Sequence, residues 1–204
     1  MLKNCGRVKN PSNYIPKGVF NILSTNVFTY KSKDGKTVTI REAKKQDAER
    51  MLNSASRALI NAPYMLSTVE DVKQMSVDAI QKTLKAYYEN PNFVQFIAEV
   101  DGKLVGAIDF KNGNKEKISH QGFFAMTILP EYRNYGIGRA LLETLINWAK
   151  NNCKIEKVCL EVMEDNLGAI KLYKNQGFFE EGRKAKGVKL DGGYQDLILM
   201  ALFV

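Results

Sequence analysis

The stretch Met126-Thr-Ile-Leu-Pro130-Glu-Tyr-Arg133-Asn-Tyr-Gly136-Ile-Gly138-Arg139-Ala-Leu-Leu142 decides how the rest of the chain is read. Its opening residues suit the end of a strand, and Pro130 stops that strand. From Ile137 the pattern changes: Ile137, Leu141, Leu142, Leu145, Ile146 and Trp148 recur at helical spacing. A short, glycine-bearing connection therefore opens directly into an amphipathic helix. The first N–H groups of a helix have no intrahelical acceptor and carry a partial positive charge. Glycines at Gly136 and Gly138 let backbone approach an anion without a Cβ in the way. Arg133 and Arg139 add cationic donors on either side. The segment predicts an anion cradle.

The kind of anion is narrowed by what the segment lacks. A P-loop ends in Gly-Lys-Ser/Thr, which is absent here. A dinucleotide fingerprint needs a third small residue where Leu141 stands, although an acidic residue, Glu161, does follow at about the distance that fingerprint requires. Only one further strand-helix-strand unit remains after the cradle, too little for a dinucleotide fold.

Working outward, residues from Met1 to about Ser24 read as an irregular extension with Pro11 and Pro16. Val27–Tyr30 and Thr37–Ile40 alternate about Asp34-Gly35, a hairpin signal. Asp47 to Ala62 has helical spacing and stops at Pro63. Ser67 to Glu89 reads as a second helical region. Phe93–Val100 and Leu104–Phe110 read as strands joined by a turn at Asp101-Gly102, and Gly122–Leu129 as a third. After the central helix come a strand (Lys157–Val162), a helix (Leu167–Asn175) and two strands around Phe178–Gly182 and Tyr194–Phe203. Hairpin, helices, meander, then strand-helix-strand-helix-strand predict an α/β (mixed α+β) domain with helices packed on one mixed sheet.

Composition sets bounds. With 204 residues, 45% hydrophobic and 25% charged, the chain suits one globular domain. No apolar run approaches a bilayer span, and the N-terminal basic residues lack an apolar segment behind them, so a cytoplasmic protein with no membrane partner is expected. Cys5, Cys153 and Cys159 show no metal or disulfide spacing and read as incidental thiols; no metal is expected. The net charge of +8 suits an anionic ligand. The lysines are scattered and not interleaved with aromatics, so nucleic acid is not an expected partner.

Two blocks together carry a resemblance. Arg133-x-x-Gly136-x-Gly138 follows a strand ending at Pro130. Downstream stand Leu160-Glu161-Val162, Asn166, Ala169-Ile170-x-Leu172-Tyr173 and Gly177-Phe178. In order and separation these resemble the GNAT superfamily of N-acetyltransferases, over about Val38 to Val204, which puts residues 1–37 in an N-terminal extension and 38–204 in the acetyltransferase domain. The resemblance implies a mixed, mostly antiparallel sheet and acetyl-CoA as co-substrate. It also implies that the backbone of Met126, Thr127 and Ile128 bonds the pantetheine arm. Arg133, Asn134, Tyr135, Gly136, Ile137, Gly138 and Arg139 would hold the pyrophosphate, and Asn166 would contact the cofactor as well as cap its helix. Tyr173 matches the tyrosine that protonates the departing thiolate, and Glu161 a position that serves as base in some ribosomal-protein acetyltransferases.

The chain departs from a related subset at Phe123, where a glutamate often stands, so a base on that strand is missing. Glu161 or a water relay has to replace it, with Glu99 and Asp109 as weaker candidates on adjacent strands. His120, the single histidine, reads as structural or exposed. The expected reaction is acetyl transfer to a primary amine by direct attack in a ternary complex. The rival reading is a non-catalytic acyl-CoA sensor. The acceptor, a small-molecule amine or a protein amine, would be chosen by about Ser54–Tyr88 and Lys184–Gly193. Residues 1–37 are candidates to cover the acceptor cleft or mediate a homodimer.

Overall fold

The structure is a computed structural model that describes residues 21–23, 27–32, 35–60 and 62–204. The alternating stretches form the strands β1 (Asn21–Leu23), β2 (Val27–Lys31), β3 (Thr37–Glu42), β4 (Val94–Val100), β5 (Lys103–Asn112), β6 (Gln121–Ile128), β7 (Lys157–Met163), β8 (Phe179–Leu190) and β9 (Gly193–Phe203). The helices are α1 (Ala48–Ala58), α2 (Val69–Lys73), α3 (Val77–Glu89), α4 (Ile137–Asn151) and α5 (Leu167–Asn175). All described strands join one sheet in the order β1-β2-β3-β4-β5-β6-β7-β9-β8. Every neighbouring pair is antiparallel except β6 and β7, which run parallel across the α4 crossover. The fold is the mixed, mostly antiparallel α/β sheet that the sequence predicts.

Side-chain alternation assigns the two faces. Phe124 of β6 and Val158, Leu160 and Val162 of β7 turn into the main core with Ile137, Leu141, Leu142 and Leu145 of α4. Tyr173 and Phe178 close this core over β6, with ring centroids 5.7 and 5.9 Å from Phe124. The opposite face of β5 meets α3, where Tyr87 donates to Asp109 at 2.6 Å. The α4 side chains buried in the main core repeat the helical spacing read from the sequence.

Several local readings change. The hairpin turn is real: Gly35 has φ +81° and its N–H bonds Ser32 O at 2.9 Å, while Lys33 and Asp34 lie outside the described residues. Strand β1 falls inside the segment read as irregular. The region read as one helix over Ser67–Glu89 is two, because Thr68 and Ser76 each cap a separate start by accepting from Asp71 N and Ala79 N. Strand β8 runs on to Leu190, well past the expected end at Gly182, so the segment Lys184–Gly193 is mostly strand. That edge strand is exposed on both faces and has no apolar alternation to betray it. Cys159 is a buried free thiol, but Cys153 is disulfide-bonded, which corrects its reading as incidental; sequence spacing does not report spatial pairing. Cys5 lies outside the described residues.

Candidate active site

The site begins where β6 and β7 part. Their register is Gln121↔Lys157, Gly122↔Val158 and Phe123↔Cys159, and it stops there, five residues before β6 ends at Ile128. On its other edge β6 stays paired with β5 as far as Gly106↔Ile128. The directions of the free groups follow from two bonds. Leu129 N donates to Val105 O at 2.9 Å, and His120 O accepts from Glu156 N at 2.8 Å. Odd-numbered residues of β6 therefore direct N–H and C=O toward β5, and even-numbered ones toward β7. Met126 and Ile128 aim their backbone groups into the gap. Thr127 is turned to Ala107 of β5, so its main chain is the one of the expected three already engaged in the sheet.

At the mouth of this gap the chain turns into α4. Asn134 and Gly136 take positive φ values of 65° and 84°, the second as the helix N-cap. The helices α2, α3 and α5 are capped by Thr68, Ser76 and Asn166. In contrast, α4 has no side-chain cap and no acidic residue in its first turn. Its first intrahelical bond is Ala140 N to Gly136 O at 3.0 Å. The N–H groups of Asn134, Tyr135, Gly136, Ile137 and Gly138 donate to no described residue. A run of consecutive N–H groups around a left-handed residue is a concave anion site.

The side chains near the loop hold its shape. Ile137 is buried in the core, and Tyr135 packs partly against it. Gly138 lies so close to β6 that a Cβ would meet Ile128 Cδ1. Arg133 folds back to donate from Nε to Ile128 O at 3.3 Å, and Arg139 pairs with Glu143 at 2.7 Å. Asn166 accepts from Ala169 N at 3.2 Å, so its capping role is present.

Tyr173 stands on α5 with 8% of its surface exposed. Its hydroxyl bonds no described residue and is not sealed among the buried unpartnered atoms. Burial pushes its pKa up to about 12, so it carries its proton throughout the neutral range. A protonated, unengaged hydroxyl in a dry setting is suited to give up a proton to a strong base formed beside it.

Glu161 projects from the opposite face of β7, as alternation with Leu160 and Val162 requires, and pairs with Lys184 of β8 at 2.5 Å. Continuing the register two residues beyond Phe123↔Cys159 puts it level with Ala125, where the strands separate. Glu99 is committed elsewhere: Arg41 and Arg50 bond it at 2.9 and 2.7 Å. Burial works against its charge, but those hydrogen bonds prevail and keep its carboxyl below the usual value. His120 precedes β6, at the far end from the cradle. Phe123 is 50% exposed on the Glu161 face, and Ala125 beside it is exposed, so that face of β6 is open.

A parallel pair that parts beside a helix N-terminus with unengaged N–H groups can receive an extended, anion-bearing ligand along the free edge of β6. The chain belongs to the acetyltransferase (GNAT) family, whose model matches residues 64–178. It is similar to L-amino acid N-acetyltransferase AaaT of Escherichia coli (strain K12), with 29% identity over 80% of this chain and 96% of the relative. The fold matches that of the GNAT-family acetyltransferase from Streptococcus pneumoniae with a TM-score of 0.79 at 24% identity, covering 82% of this chain and 99% of that one. It also matches yncA from Salmonella typhimurium, solved with its cofactor acetyl-CoA, with a TM-score of 0.72 at 20% identity over 81% of this chain and 93% of that one. The chain is thus an enzyme, an acyltransferase of the N-acetyltransferase type. Among the described residues no helix is long and apolar enough to cross a membrane.

Proposed function

We propose that this enzyme transfers the acetyl group of acetyl-CoA to a primary amine by direct attack within a ternary complex. The observation that carries the proposal is the run of unengaged N–H groups from Asn134 to Gly138 at the mouth of the β6–β7 gap. That run suits a pyrophosphate, with Arg133 and Arg139 placed to add charge as their present bonds exchange for phosphate oxygens. The groups of Met126 and Ile128 suit the amides of the pantetheine arm, which would complete the sheet like an added strand. Asn166 is assigned to the same path, and Thr127 supports it from the sheet through its pairing with Ala107. The catalytic unit is residues 38–204, with β1 and β2 extending its sheet.

In this reading the amine nitrogen attacks the thioester carbon from the open face of β6. As the carbon–sulfur bond breaks, Tyr173 gives its proton to the sulfur. The proton lost by the nitrogen goes to Glu161, directly or through water, with Lys184 holding that carboxylate in place. Bringing the amine and thioester together in one cleft supplies much of the acceleration.

The test is calorimetric titration of acetyl-CoA into the wild type and into Gly136→Trp. Micromolar binding that the variant loses supports the proposal. Failure of well-folded wild type to bind sinks it. A screen of amines by thiol release then finds the acceptor.

A further inference from the structure

Asp109 and Glu161 stand on the two strands that flank β6, at the same level. Asp109 is the register partner of Ala125. Glu161 reaches that level on the other side, where pairing has just ended. All three lie on the same face of the sheet, Asp109 beside Tyr87 of α3, with Ala125 and Phe123 exposed between the carboxylates. Paired strands lie about 4.8 Å apart, so a group resting on Ala125 touches Asp109 on the β5 side and faces Glu161 across the opening.

The two carboxylates differ in their partners. Glu161 has Lys184. Elsewhere, Asp47 and Glu99 share Arg41 and Arg50, and Glu164 and Asp196 share Arg183. Asp109 is part-buried and has no lysine or arginine nitrogen within ion-pairing distance among the described residues. Its one side-chain partner is the neutral Tyr87 hydroxyl at 2.6 Å. Lys111, two residues along the same strand, puts its ammonium over the Tyr87 ring, 4.9 Å from the centroid. Phe93 packs on that ring at 5.7 Å and fixes the hydroxyl. Tyr87 thus holds Asp109 in place without neutralising it.

We propose that Asp109 docks the cationic ammonium group of the acceptor over Ala125, facing Glu161. This rests on the acetyl-transfer reading above. A part-buried carboxylate without a direct ion pair is costly to keep, and a bound ammonium offsets that cost through a charge-assisted hydrogen bond. Tyr87 is the positioning residue. The ammonium docked by Asp109 then loses its proton to Glu161 before attack. The substrate class this implies is a primary amine that arrives charged, with its carbon skeleton running down the exposed ring of Phe123. Burial, only partly opposed by the Tyr87 hydrogen bond and by the nearby charge of Lys111, raises the pKa of Asp109.

Asp109→Asn tests this cleanly, because the amide oxygen still accepts from Tyr87 while the charge is gone. The full-length protein is saturated with CoA, and 1,4-diaminobutane, 2-phenylethylamine and an alanyl tripeptide are titrated by calorimetry. The amines that turn over are then followed by thiol release. The expected result is that Asp109→Asn weakens amine binding, and raises the amine KM, by about ten- to a hundred-fold. The KM for acetyl-CoA should stay within about two-fold and thermal stability should not fall. Equal amine affinity in wild type and Asp109→Asn overturns the proposal, as does failure of all three amines to bind the CoA-saturated wild type. Failure of acetyl-CoA itself to bind sinks the underlying reading instead, so the two failures are told apart.

Discussion

Gly138 and Ile128 approach so closely that a Cβ at position 138 would lie 2.9 Å from Ile128 Cδ1, with Leu172 Cδ2 at 3.5 Å behind it. The contact seats the first turn of α4 on the last residue of β6. It fixes the distance between the N–H cradle and the gap. Gly138→Val should therefore lower stability by about 1–3 kcal/mol through overpacking. It should also weaken acetyl-CoA binding by more than that loss of stability explains. Thermal unfolding alongside calorimetry checks both; unchanged affinity in the folded variant would mean the seat is not needed.

Gly136 presents the reverse case. A Cβ there meets nothing within 4 Å, yet φ is +84°. Gly136→Ala is expected to cost about 1–2 kcal/mol from backbone conformation alone. The same substitution at the exposed helical Gly168, where no positive φ is needed, should stabilise or be neutral. Chemical denaturation of the two variants separates conformational strain from steric contact.

Tyr173→Phe removes the hydroxyl and keeps the ring packing on Phe124 and Phe178. We expect kcat to fall by about a hundred-fold or more, with the acetyl-CoA KM nearly unchanged. Because burial raises the Tyr173 pKa to about 12, the wild type should show no loss of rate from this residue up to about pH 10. A wild-type alkaline limb that vanishes in Tyr173→Phe would contradict that assignment.

The ion network at the foot of α1 sets the response to acid. Asp47 is 4% exposed and accepts from Arg41 at 2.8 Å through both oxygens. Burial opposes its charge, but the bonds from Arg41 and the Lys44 N–H prevail and lower its pKa in the folded state. Its contribution is therefore present above the unfolded value of about 3.9 and is lost as pH falls through the lower folded value. Asp47→Asn should cost about 3 kcal/mol near pH 7 by leaving Arg41 half-paired. The difference from wild type should shrink below about pH 4 in pH-resolved urea unfolding.

How much of this was legible in the sequence depended on range. The cradle was readable because glycines, arginines and helical spacing all fall within one short run, from Arg133 to Leu145. Helix α5 was read with the boundaries it has, since Asn166 caps it and Gly177 ends it. The long β8 was missed because an exposed edge strand carries no burial pattern. The parting of β6 and β7 has no local signal, since it depends on register between strands far apart in sequence. That Asp109 has no direct ion pair among the described residues was not readable either: it depends on α3 bringing Tyr87 across the sheet and on Lys111 lying over that ring.

The seam between β6 and β7 is only three register pairs long, and on one side of it lie β1 to β6, on the other β7, β9 and β8. The antiparallel ladders from β2 to β6 and from β7 to β8 are longer, so the two slabs are joined in the sheet only at this short seam. On the proposed function, a molecule laid into the opening would bond one slab through β6 and rest against the other. Amide exchange at Met126 and Ile128 should then slow more than at Ala125 and Thr127 when the opening is filled, because the same small molecule acts as the missing rungs along an edge whose two sides are otherwise joined through the core beneath.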